Sequence, residues 1–358
     1  MANVSLAQLG WRRRLGSTSA VASGHRVSRV AAEHRGAYEL VDEEGATTGA
    51  VDAAVRDATR SPFDFPTVGD WVVRTTEARH DRRVAIAGVL DRSSLLCRRS
   101  RGSRPRAQLV AANADVLAVV VTARSADDAP MPPRADIGHR IEWYLTAAFG
   151  GGSRPVIVVN KIDTVSRAHG EATVDALRRR IGATTTAVPI LATSALDGRG
   201  LDGLRALTGQ GATVAFSGPS GVGKSSLVNR LAEAEVMPVA ALSPDGRGRH
   251  TTVRRQLVPV GGADGGTVVD SPGLQDLIPW SGDMGLPAAG GVLDGLAASF
   301  GEITALAQRC RFADCAHAVE PDCAVRAAVD AGELAGERLD TYFELVADMT
   351  AGNSAVVW

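Results

Sequence analysis

The alternation of apolar and polar positions divides this chain into three parts. Between residues 25 and 92, short apolar runs of β type are separated by turn-like segments. The runs are 26–31, 37–41, 47–55, 70–75 and 84–90. About five short strands at this spacing predict a small β-barrel, and the OB-fold is the common five-stranded version that binds nucleic acids.

From residue 115 onwards, buried apolar runs alternate with helical patterns, which predicts a parallel α/β sheet. The predicted strands are 116–121, 156–160, 188–192, 214–216, 256–260 and 267–270, and the predicted helices are 137–149, 170–181, 200–207 and 224–235. Residues 256–270 read as a hairpin. The loops that bind ligands in such a sheet lie at the carboxyl ends of its strands.

Two further helical patterns, 293–308 and 324–349, complete the chain. We therefore predict a multidomain protein with an N-terminal OB-fold β-barrel, a central P-loop α/β domain and a C-terminal α-helical domain. The predicted divisions are a flexible N-terminus at 1–24, the OB-fold-like domain at 25–108, the α/β domain at 109–285 and the helical domain at 286–358.

Composition narrows the class of protein. The 358 residues are 45% hydrophobic and 22% charged with a net charge of −1, as in an ordinary globular protein of two or three domains, so any basic surface must be local. No apolar run approaches a transmembrane helix, and residues 1–14 lack the apolar core of a signal peptide. We expect a cytoplasmic protein that makes no membrane contact.

One stretch carries the strongest chemical signal because it fits the P-loop pattern G-x-x-x-x-G-K-[ST] between a strand and a helix. It comprises Gly218, Pro219, Ser220, Gly221, Val222, Gly223, Lys224 and Ser225, and Ser226 follows. Successive backbone N–H groups and the start of a helix bind phosphate. Lys224 is expected to reach the β- and γ-phosphates and Ser225 to bind Mg²⁺.

The sequence also predicts how the base is recognised. Asn160, Lys161 and Asp163 follow a predicted strand, and a carboxylate at Asp163 accepts from guanine N1–H and the 2-amino group, a donor pair that adenine lacks. Asn160 is suited to the N7/O6 edge, and the backbone of Ser194 and Ala195 to O6. Of 39 basic residues only Lys161 and Lys224 are lysine, which marks both as sites that need an ammonium.

A second loop set predicts the hydrolytic chemistry. Asp270 ends a predicted strand and is expected to bind Mg²⁺, while the N–H of Gly273 contacts the γ-phosphate. Thr251 and Thr252, in the segment 246–252, are equally suited to complete the Mg²⁺ shell. Leu274 stands where many GTPases place a glutamine that orients the attacking water, so turnover by the isolated protein should be slow. His250 is a candidate for that role; a surface or phosphate-contacting histidine is the alternative.

The order of these motifs differs from that of ordinary GTPases, in which the P-loop comes first. Here the guanine reader at 160 and the loop at 194 precede the P-loop at 218 and the aspartate at 270. The same sheet forms if the chain is circularly permuted and opened before the strand 116–121. The loops that sense the γ-phosphate then run directly into the C-terminal domain.

The C-terminal domain contains a compact set of metal-ligand residues. Cys310, Cys315, His317 and Cys323 lie within 14 residues and form a closed Cys₃His set typical of structural Zn²⁺. A disulfide pair and unconnected buried cysteines are the alternatives. Cys97, far away in the chain, is most simply a small core residue.

Five arginines follow the predicted barrel within nine residues. They are Arg98, Arg99, Arg101, Arg104 and Arg106. Such a run suits a phosphate backbone, especially RNA, and would contribute a salt-dependent affinity. A solvated linker in an arginine-rich protein is the alternative.

Together these features resemble the circularly permuted GTPases that depend on the small ribosomal subunit, the RsgA/YjeQ family. The matching segments are 111–115, 160–163, 218–226, 246–252, 270–273 and 310–323, and the resemblance extends over roughly 25–345. It implies an OB-fold, a permuted GTPase domain, a zinc domain, binding of rRNA, and GTP hydrolysis that the small subunit stimulates during its late maturation. We expect a monomer.

Two rival functions stay open at this point. One is a nucleotide-gated RNA- or ribosome-binding protein with negligible turnover, against which Lys224, Ser225 and Asp270 argue. The other is an ATP-using kinase or transporter subunit, which would require the match at 160–163 to be accidental.

Overall fold

A computed structural model of the protein describes residues 4–11, 24–100, 107–123, 141–182, 187–237, 255–270 and 291–353. Eleven strands of these residues form one sheet, which runs from an N-terminal barrel into a central α/β domain. Helices of the C-terminal domain pack against the α/β domain. In the part of the chain described here, no helix has the length and apolar character needed to span a bilayer.

The N-terminal domain is a closed five-stranded barrel, as predicted. Its strands are β1 (His25–His34), β2 (Ala37–Asp42), β3 (Gly45–Val51), β4 (Trp71–Ala78) and β5 (Val84–Val89), in the order β1-β2-β3-β5-β4 with β4 returning to β1. Neighbours are antiparallel except β3 and β5. The predicted strand 47–55 ends at Val51, because the Asp52 carboxylate accepts from the Ala54 N–H and begins α1 (Ala53–Ala58).

A hairpin that the sequence analysis did not predict follows the barrel. It consists of β6 (Leu95–Arg99) and β7 (Ala107–Ala112), and β7 crosses the predicted boundary between residues 108 and 109. Arg98 and Arg99 therefore lie on a strand, and Arg98 Nε donates to Gln108 Oε1 on the partner strand at 2.9 Å. Arg101, Arg104 and Arg106 lie outside the described residues. Cys97 on β6 is buried, as predicted.

The central sheet has the order β10-β9-β8-β11-β13-β12. Its strands are β8 (Val116–Thr122), β9 (Arg154–Asn160), β10 (Ile190–Ala192), β11 (Thr213–Ser217), β12 (Gln256–Val260) and β13 (Gly266–Asp270). All pairs are parallel except the predicted hairpin β12–β13. The flanking helices are α2 (Ile141–Gly150), α3 (Arg167–Ile181), α4 (Leu201–Leu207) and α5 (Lys224–Ala232). Burial on both faces explains the continuous apolar runs of β8 and β11.

The barrel is joined to the central sheet by strand pairing and by a buried arginine. Ala32 of β1 pairs with Gln256 of β12. Arg29 of β1 is 1% exposed, and its guanidinium donates to carbonyl and hydroxyl oxygens of several segments. These acceptors are Gly69 O, Asn113 O, Thr213 Oγ1, Thr267 Oγ1 and Leu9 O.

The N-terminal residues 4–11 take part in this junction, which the weak patterning of 1–24 did not predict. Leu9 is fully buried in the same core as Trp71 and Leu117. The Trp11 ring meets the Trp71 ring edge-on, with centroids 4.9 Å apart. The segment therefore packs against the barrel and the central sheet together.

The C-terminal domain consists of helices around one apolar core. They are α6 (Gly291–Ser299), α7 (Gly301–Ala307), α8 (Ala324–Asp330) and α9 (Gly336–Asn353). The two predicted helices are therefore each split in two. Phe300 leaves helical geometry at φ −122° and ψ 53°, and Gly332, at φ +73°, provides the left-handed turn after α8.

Close backbone contact fixes this domain to α2. A Cβ atom at Gly295 would lie 2.2 Å from the Thr146 carbonyl oxygen, and one at Gly150 would lie 2.6 Å from the Gly291 carbonyl oxygen. The Thr146 hydroxyl donates to Ser299 Oγ at 3.1 Å along the same seam. Only glycine allows the two helix backbones to approach this closely.

An ionic cluster lies beside this seam. Arg338 of α9 is 6% exposed, and its Nε donates to Glu302 at 2.6 Å while its Nη1 lies 3.4 Å from Glu142 of α2. Arg180 of α3 approaches the same Glu142 carboxylate at 3.3 Å. The guanidinium of Arg338 also stacks on Phe300, 4.0 Å from the ring centroid.

Candidate functional site

The P-loop connects β11 to α5 at the carboxyl edge of the central sheet. Gly218 has φ +133°, and a Cβ atom there would lie 2.3 Å from the Val120 carbonyl oxygen. Gly223 has φ +93°, and a Cβ atom there would lie 2.4 Å from Asn160 Nδ2. Both positions therefore require glycine, which lets the loop wrap closely around the start of α5.

Lys224 is the first residue of α5 and lies inside the P-loop. Its Nζ donates to the carbonyl oxygens of Gly218 at 2.8 Å and Pro219 at 2.6 Å, and the residue is 7% exposed. Burial lowers the pKa of Lys224 to about 8, and the attraction of Asp270 opposes this shift. The charge of the ammonium is thus costly in this position and would be stabilised by a phosphate.

Asp270 is brought to the P-loop by sheet pairing. It is the last residue of β13, pairs with Phe216 of β11 and is 1% exposed. Ser225, half-buried, follows Lys224 on α5. The Asp270 carboxylate therefore lies at the end of the strand next to β11, and the loop after β11 leads to the Lys224 ammonium and the Ser225 hydroxyl at the start of α5, as expected for a site that binds a metal–phosphate complex.

A cavity of about 310 Å³ opens beside the P-loop. It is lined by Asn160, Lys161, Asp163, Thr164, Ala195, Leu196, Gly223 and Ser226. The structure thus brings the predicted base-recognition loops at 160–163 and 194–195 to the same cavity as the P-loop. Thr164 and Leu196 were not predicted, and adjacency to the two motifs is the only sequence signal that marks them.

Asn160 connects all three loops of this cavity. Its Nδ2 donates to Val222 O at 2.9 Å in the P-loop, and its Oδ1 accepts from the Ala195 N–H at 3.2 Å. The predicted contacts of Asn160 and Ala195 with the base edge stay predictions. In the structure these groups bond to each other, so Asn160 holds the walls of the cavity together.

Asp163 lies across the cavity on a short 3₁₀ turn, Ile162–Thr164. Ser194 Oγ donates to Asp163 Oδ1 at 2.6 Å, which fixes the orientation of the carboxylate. Lys161 precedes the turn with φ +62°, a left-handed conformation that is rare for a side-chain-bearing residue. The turn aims Lys161 and Asp163 at the cavity from adjacent positions.

Other predicted members of the site lie outside the described residues. They are His250, Thr251, Thr252, Gly273 and Leu274. Their roles stay predictions from the sequence.

The predicted metal ligands come together in the C-terminal domain. The ligand atoms of Cys310, Cys315, His317 and Cys323 all lie within 4.8 Å of one another. The Sγ atoms of Cys310 and Cys323 are 3.9 Å apart, and His317 Nδ1 is 3.6 and 3.5 Å from them. Tetrahedral Zn–S bonds of about 2.3 Å place sulfur atoms about 3.8 Å apart, so the set fits Zn²⁺.

The surroundings of the cluster also suit a metal. All three cysteines are free of disulfides. Burial lowers the pKa of His317, which favours the neutral imidazole that metal binding requires. The Glu320 carboxylate accepts from the N–H groups of Ala316, Ala318 and Val319 at 2.9–3.0 Å and so shapes the ligand loop.

Comparison with known proteins agrees with this geometry. A sequence profile of the RsgA GTPase family matches residues 89–279. A Lactiplantibacillus plantarum protein named small ribosomal subunit biogenesis GTPase RsgA 2 is 34% identical over 330 residues, 92% of this chain and 84% of that protein. A Streptomyces avermitilis protein named small ribosomal subunit biogenesis GTPase RsgA is 38% identical over 286 residues, 80% of this chain and 70% of that protein.

Solved structures are similar over most of the chain. The crystal structure of YjeQ from Thermotoga maritima has a TM-score of 0.61 at 26% identity and covers 91% of this chain and 99% of that one. The crystal structure of YloQ, a circularly permuted GTPase, has a TM-score of 0.56 at 23% identity and covers 92% and 96%. The second likeness concerns the fold alone.

Proposed function

The chain belongs to the RsgA GTPase family, and from that premise we propose that it hydrolyses GTP during late maturation of the small ribosomal subunit. The observation that carries the proposal is the convergence of Asp163, Lys224 and Asp270 at one edge of the sheet. Asp163 is suited to guanine, Lys224 to phosphate and Asp270 to Mg²⁺. The relatives named for small-subunit biogenesis support the biological role.

Each part of the site has a distinct task in this proposal. The Asp163 carboxylate accepts from guanine N1–H and the 2-amino group, with the stem of Lys161 along the base. P-loop N–H groups and Lys224 bind the phosphates, and Ser225 and Asp270 hold Mg²⁺. Held by Ser225 and Asp270, Mg²⁺ would neutralise negative charge that develops on the phosphates.

Hydrolysis requires a group that orients the water, and Leu274 lacks a polar side chain for it. We therefore assign this task to a contact with the small subunit, with His250 as the candidate within the chain. Thr251 or Thr252, together with the Gly273 N–H, would sense the γ-phosphate. Assistance in trans is worth ~10³–10⁵ in rate in another GTPase.

The outer domains are proposed to bind rRNA. The OB-fold at 25–108 and its arginine run would contact the phosphate backbone, and the domain at 286–358, stabilised by one Zn²⁺, would relay the state of the GTPase domain at 109–285. Release from the particle would follow hydrolysis. We further propose a cytoplasmic monomer.

GTP turnover with and without purified small subunits, in Mg²⁺ and with ATP as the competing nucleotide, tests the proposal. We expect slow basal turnover, strong stimulation by the subunit and no use of ATP. Tight GTP binding without stimulation would favour the rival, a nucleotide-gated ribosome-binding protein. Equal use of ATP would contradict guanine recognition by Asp163.

Asp163→Asn is a sharper test of base recognition. The amide donates where the carboxylate accepts, so the variant should lose GTP and gain xanthosine triphosphate, whose ring offers an oxygen in place of the 2-amino group. Asp202→Asn on α4, whose side chain is almost fully exposed, is the matched control and should behave as wild type. GTP affinity unchanged by Asp163→Asn would contradict the assignment.

A further inference from the structure

The loop that forms the outer wall of the base cavity is tied to the P-loop helix by one side chain. Arg230 lies in the last turn of α5, which begins at Lys224. Its Nε donates to the Ala195 carbonyl oxygen at 2.8 Å, and its Nη2 donates to the Leu196 carbonyl oxygen at 2.5 Å. One guanidinium therefore holds two consecutive carbonyl groups of the wall.

The loop has a local structure of its own. Ser194 Oγ accepts from the N–H groups of Leu196 and Asp197, each at 3.2 Å, and Arg199 pairs with Asp197 at 2.8 Å. These contacts shape the turn but stay within it. The two hydrogen bonds from Arg230 connect the turn to the P-loop helix. The hydrogen bond from Ala195 N–H to Asn160 Oδ1 connects it to the base-recognition motif.

Leu196 presents an exposed apolar side chain to the cavity, where a purine base could cover it. Leu196 lines the cavity and is 75% exposed. Such exposure is unusual for a leucine in a loop that Arg230 and Asn160 both bind through hydrogen bonds. A flat purine ring in the cavity would cover this apolar surface and bury it. The position of Leu196 depends on its own carbonyl, which Arg230 holds.

We infer that Arg230 is a positioning residue that fixes the Ala195–Leu196 wall to the P-loop helix, so that base and phosphates of a guanine nucleotide are bound by one preorganised unit. The inference rests on the proposed function. Arg230 is exposed, so its two hydrogen bonds contribute little to global stability. A wall that is already ordered costs no ordering entropy on binding, so the effect falls on nucleotide affinity.

The test compares Arg230→Met, Arg230→Lys and the control Arg205→Met, an exposed arginine of α4 that pairs with Asp202 on the same helix. Dissociation constants and dissociation rates of fluorescent GDP are measured, together with inorganic triphosphate as a ligand without a base. For Arg230→Met we expect GDP to bind about 5- to 20-fold more weakly, through faster dissociation. Triphosphate affinity and melting temperature should match the control, and Arg230→Lys should be intermediate.

A double-mutant cycle with Leu196→Ala separates positioning from general support. If Arg230 acts by placing Leu196, the double variant should lose less GDP affinity than the sum of the single losses. The inference is overturned if Arg230→Met stays within twofold of Arg205→Met, or if triphosphate affinity falls in parallel with GDP affinity. Absence of guanine-nucleotide binding by the wild-type protein would instead overturn the proposed function itself.

Discussion

Two buried arginines hold the GTPase domain to its neighbouring domains, and they differ in the groups that accept their hydrogen bonds. On the barrel side, Arg29 donates to carbonyl and hydroxyl oxygens, and its charge also acts on the buried Asp70 carboxylate. On the zinc side, Arg338 meets the carboxylates of Glu142 and Glu302. Both side chains are more than nine-tenths buried, so the difference between their acceptors does not arise from a difference in exposure.

The comparison teaches that the two junctions should respond differently to their surroundings. The carbonyl and hydroxyl oxygens that accept from Arg29 do not titrate near neutral pH. A charge paired with buried carboxylates depends on the protonation of those partners and on every change in their packing. We therefore expect the zinc-side junction, whose arginine donates directly to carboxylates, to respond to pH and packing more strongly than the barrel junction.

Removal of zinc should separate the two junctions most clearly. Structural zinc contributes about 10–16 kcal/mol of apparent binding free energy in small zinc-binding peptides. Chelation, or Cys315→Ser, should therefore unfold α8 and α9 while the barrel and GDP binding persist. Hydrogen exchange by region and zinc content measure this, with Cys97→Ala as the control. A C-terminal domain that stays protected without zinc would contradict the prediction.

Arg338→Met should have the next largest effect. It leaves the buried Glu142 carboxylate and the partly buried Glu302 carboxylate without this partner, and breaking one member of a buried ion pair costs about 3–5 kcal/mol. Urea denaturation measures the loss, and exchange should rise in α2 and α9. Arg311→Met, which breaks an exposed pair with Asp322, should change stability by less than about 1 kcal/mol. Equal losses in both variants would remove the distinction.

Arg29→Met should cost less, about 2–3 kcal/mol, because the orphaned acceptors are neutral oxygens. The loss should appear as faster exchange in residues 4–11 and in β1, with the C-terminal helices unaffected. Arg26→Met, on the same strand but with an exposed partner at Glu44, is the matched control. A loss larger than that of Arg338→Met would reverse the comparison.

The smallest expected effect is a dependence on pH. Burial raises the pKa of Glu142, and Arg180 and Arg338 offset this only in part. A raised pKa means that the stabilising contribution of Glu142 is complete below its unfolded pKa and is lost as pH rises through the folded value. Wild type should therefore lose stability relative to Glu142→Gln as pH rises from 4 to 8.

The sequence predicted the two sites unequally well, for physical reasons. The metal ligands fall within 14 residues, so their proximity needs no knowledge of the fold. The nucleotide site needs strand order to bring residues 160, 194, 224 and 270 together, and the sequence grouped them only through the motifs and the position of each motif after a predicted strand. It could not supply the internal bonds of Asn160, because amide orientation depends on neighbours such as Val222 that no periodicity reports.

The sequence analysis predicted neither junction, because the residues that form them are charged and the apolar pattern therefore places them at the surface. A buried arginine looks like a surface residue in an apolarity pattern, and this applies to Arg29 and to Arg338. Residues 4–11 contain Leu9 as a fully buried side chain, too little for a period to be detected. The sequence analysis likewise missed β6, because the charge of Arg98 and Arg99 indicated either an RNA-binding run or a solvated linker.

The pairing of β1 with β12 has a consequence for solubility. An uncovered strand edge is a template for pairing with other chains. β12 would be such an edge of the GTPase sheet, but Ala32 pairs with Gln256, and Arg255 Nη1 donates to Leu109 O at 2.7 Å over the same border. The opposite edge, β10, is only three residues long. The barrel thus protects the GTPase domain from self-association, and a shortened protein that begins at residue 109 is expected to aggregate even where its nucleotide site is intact.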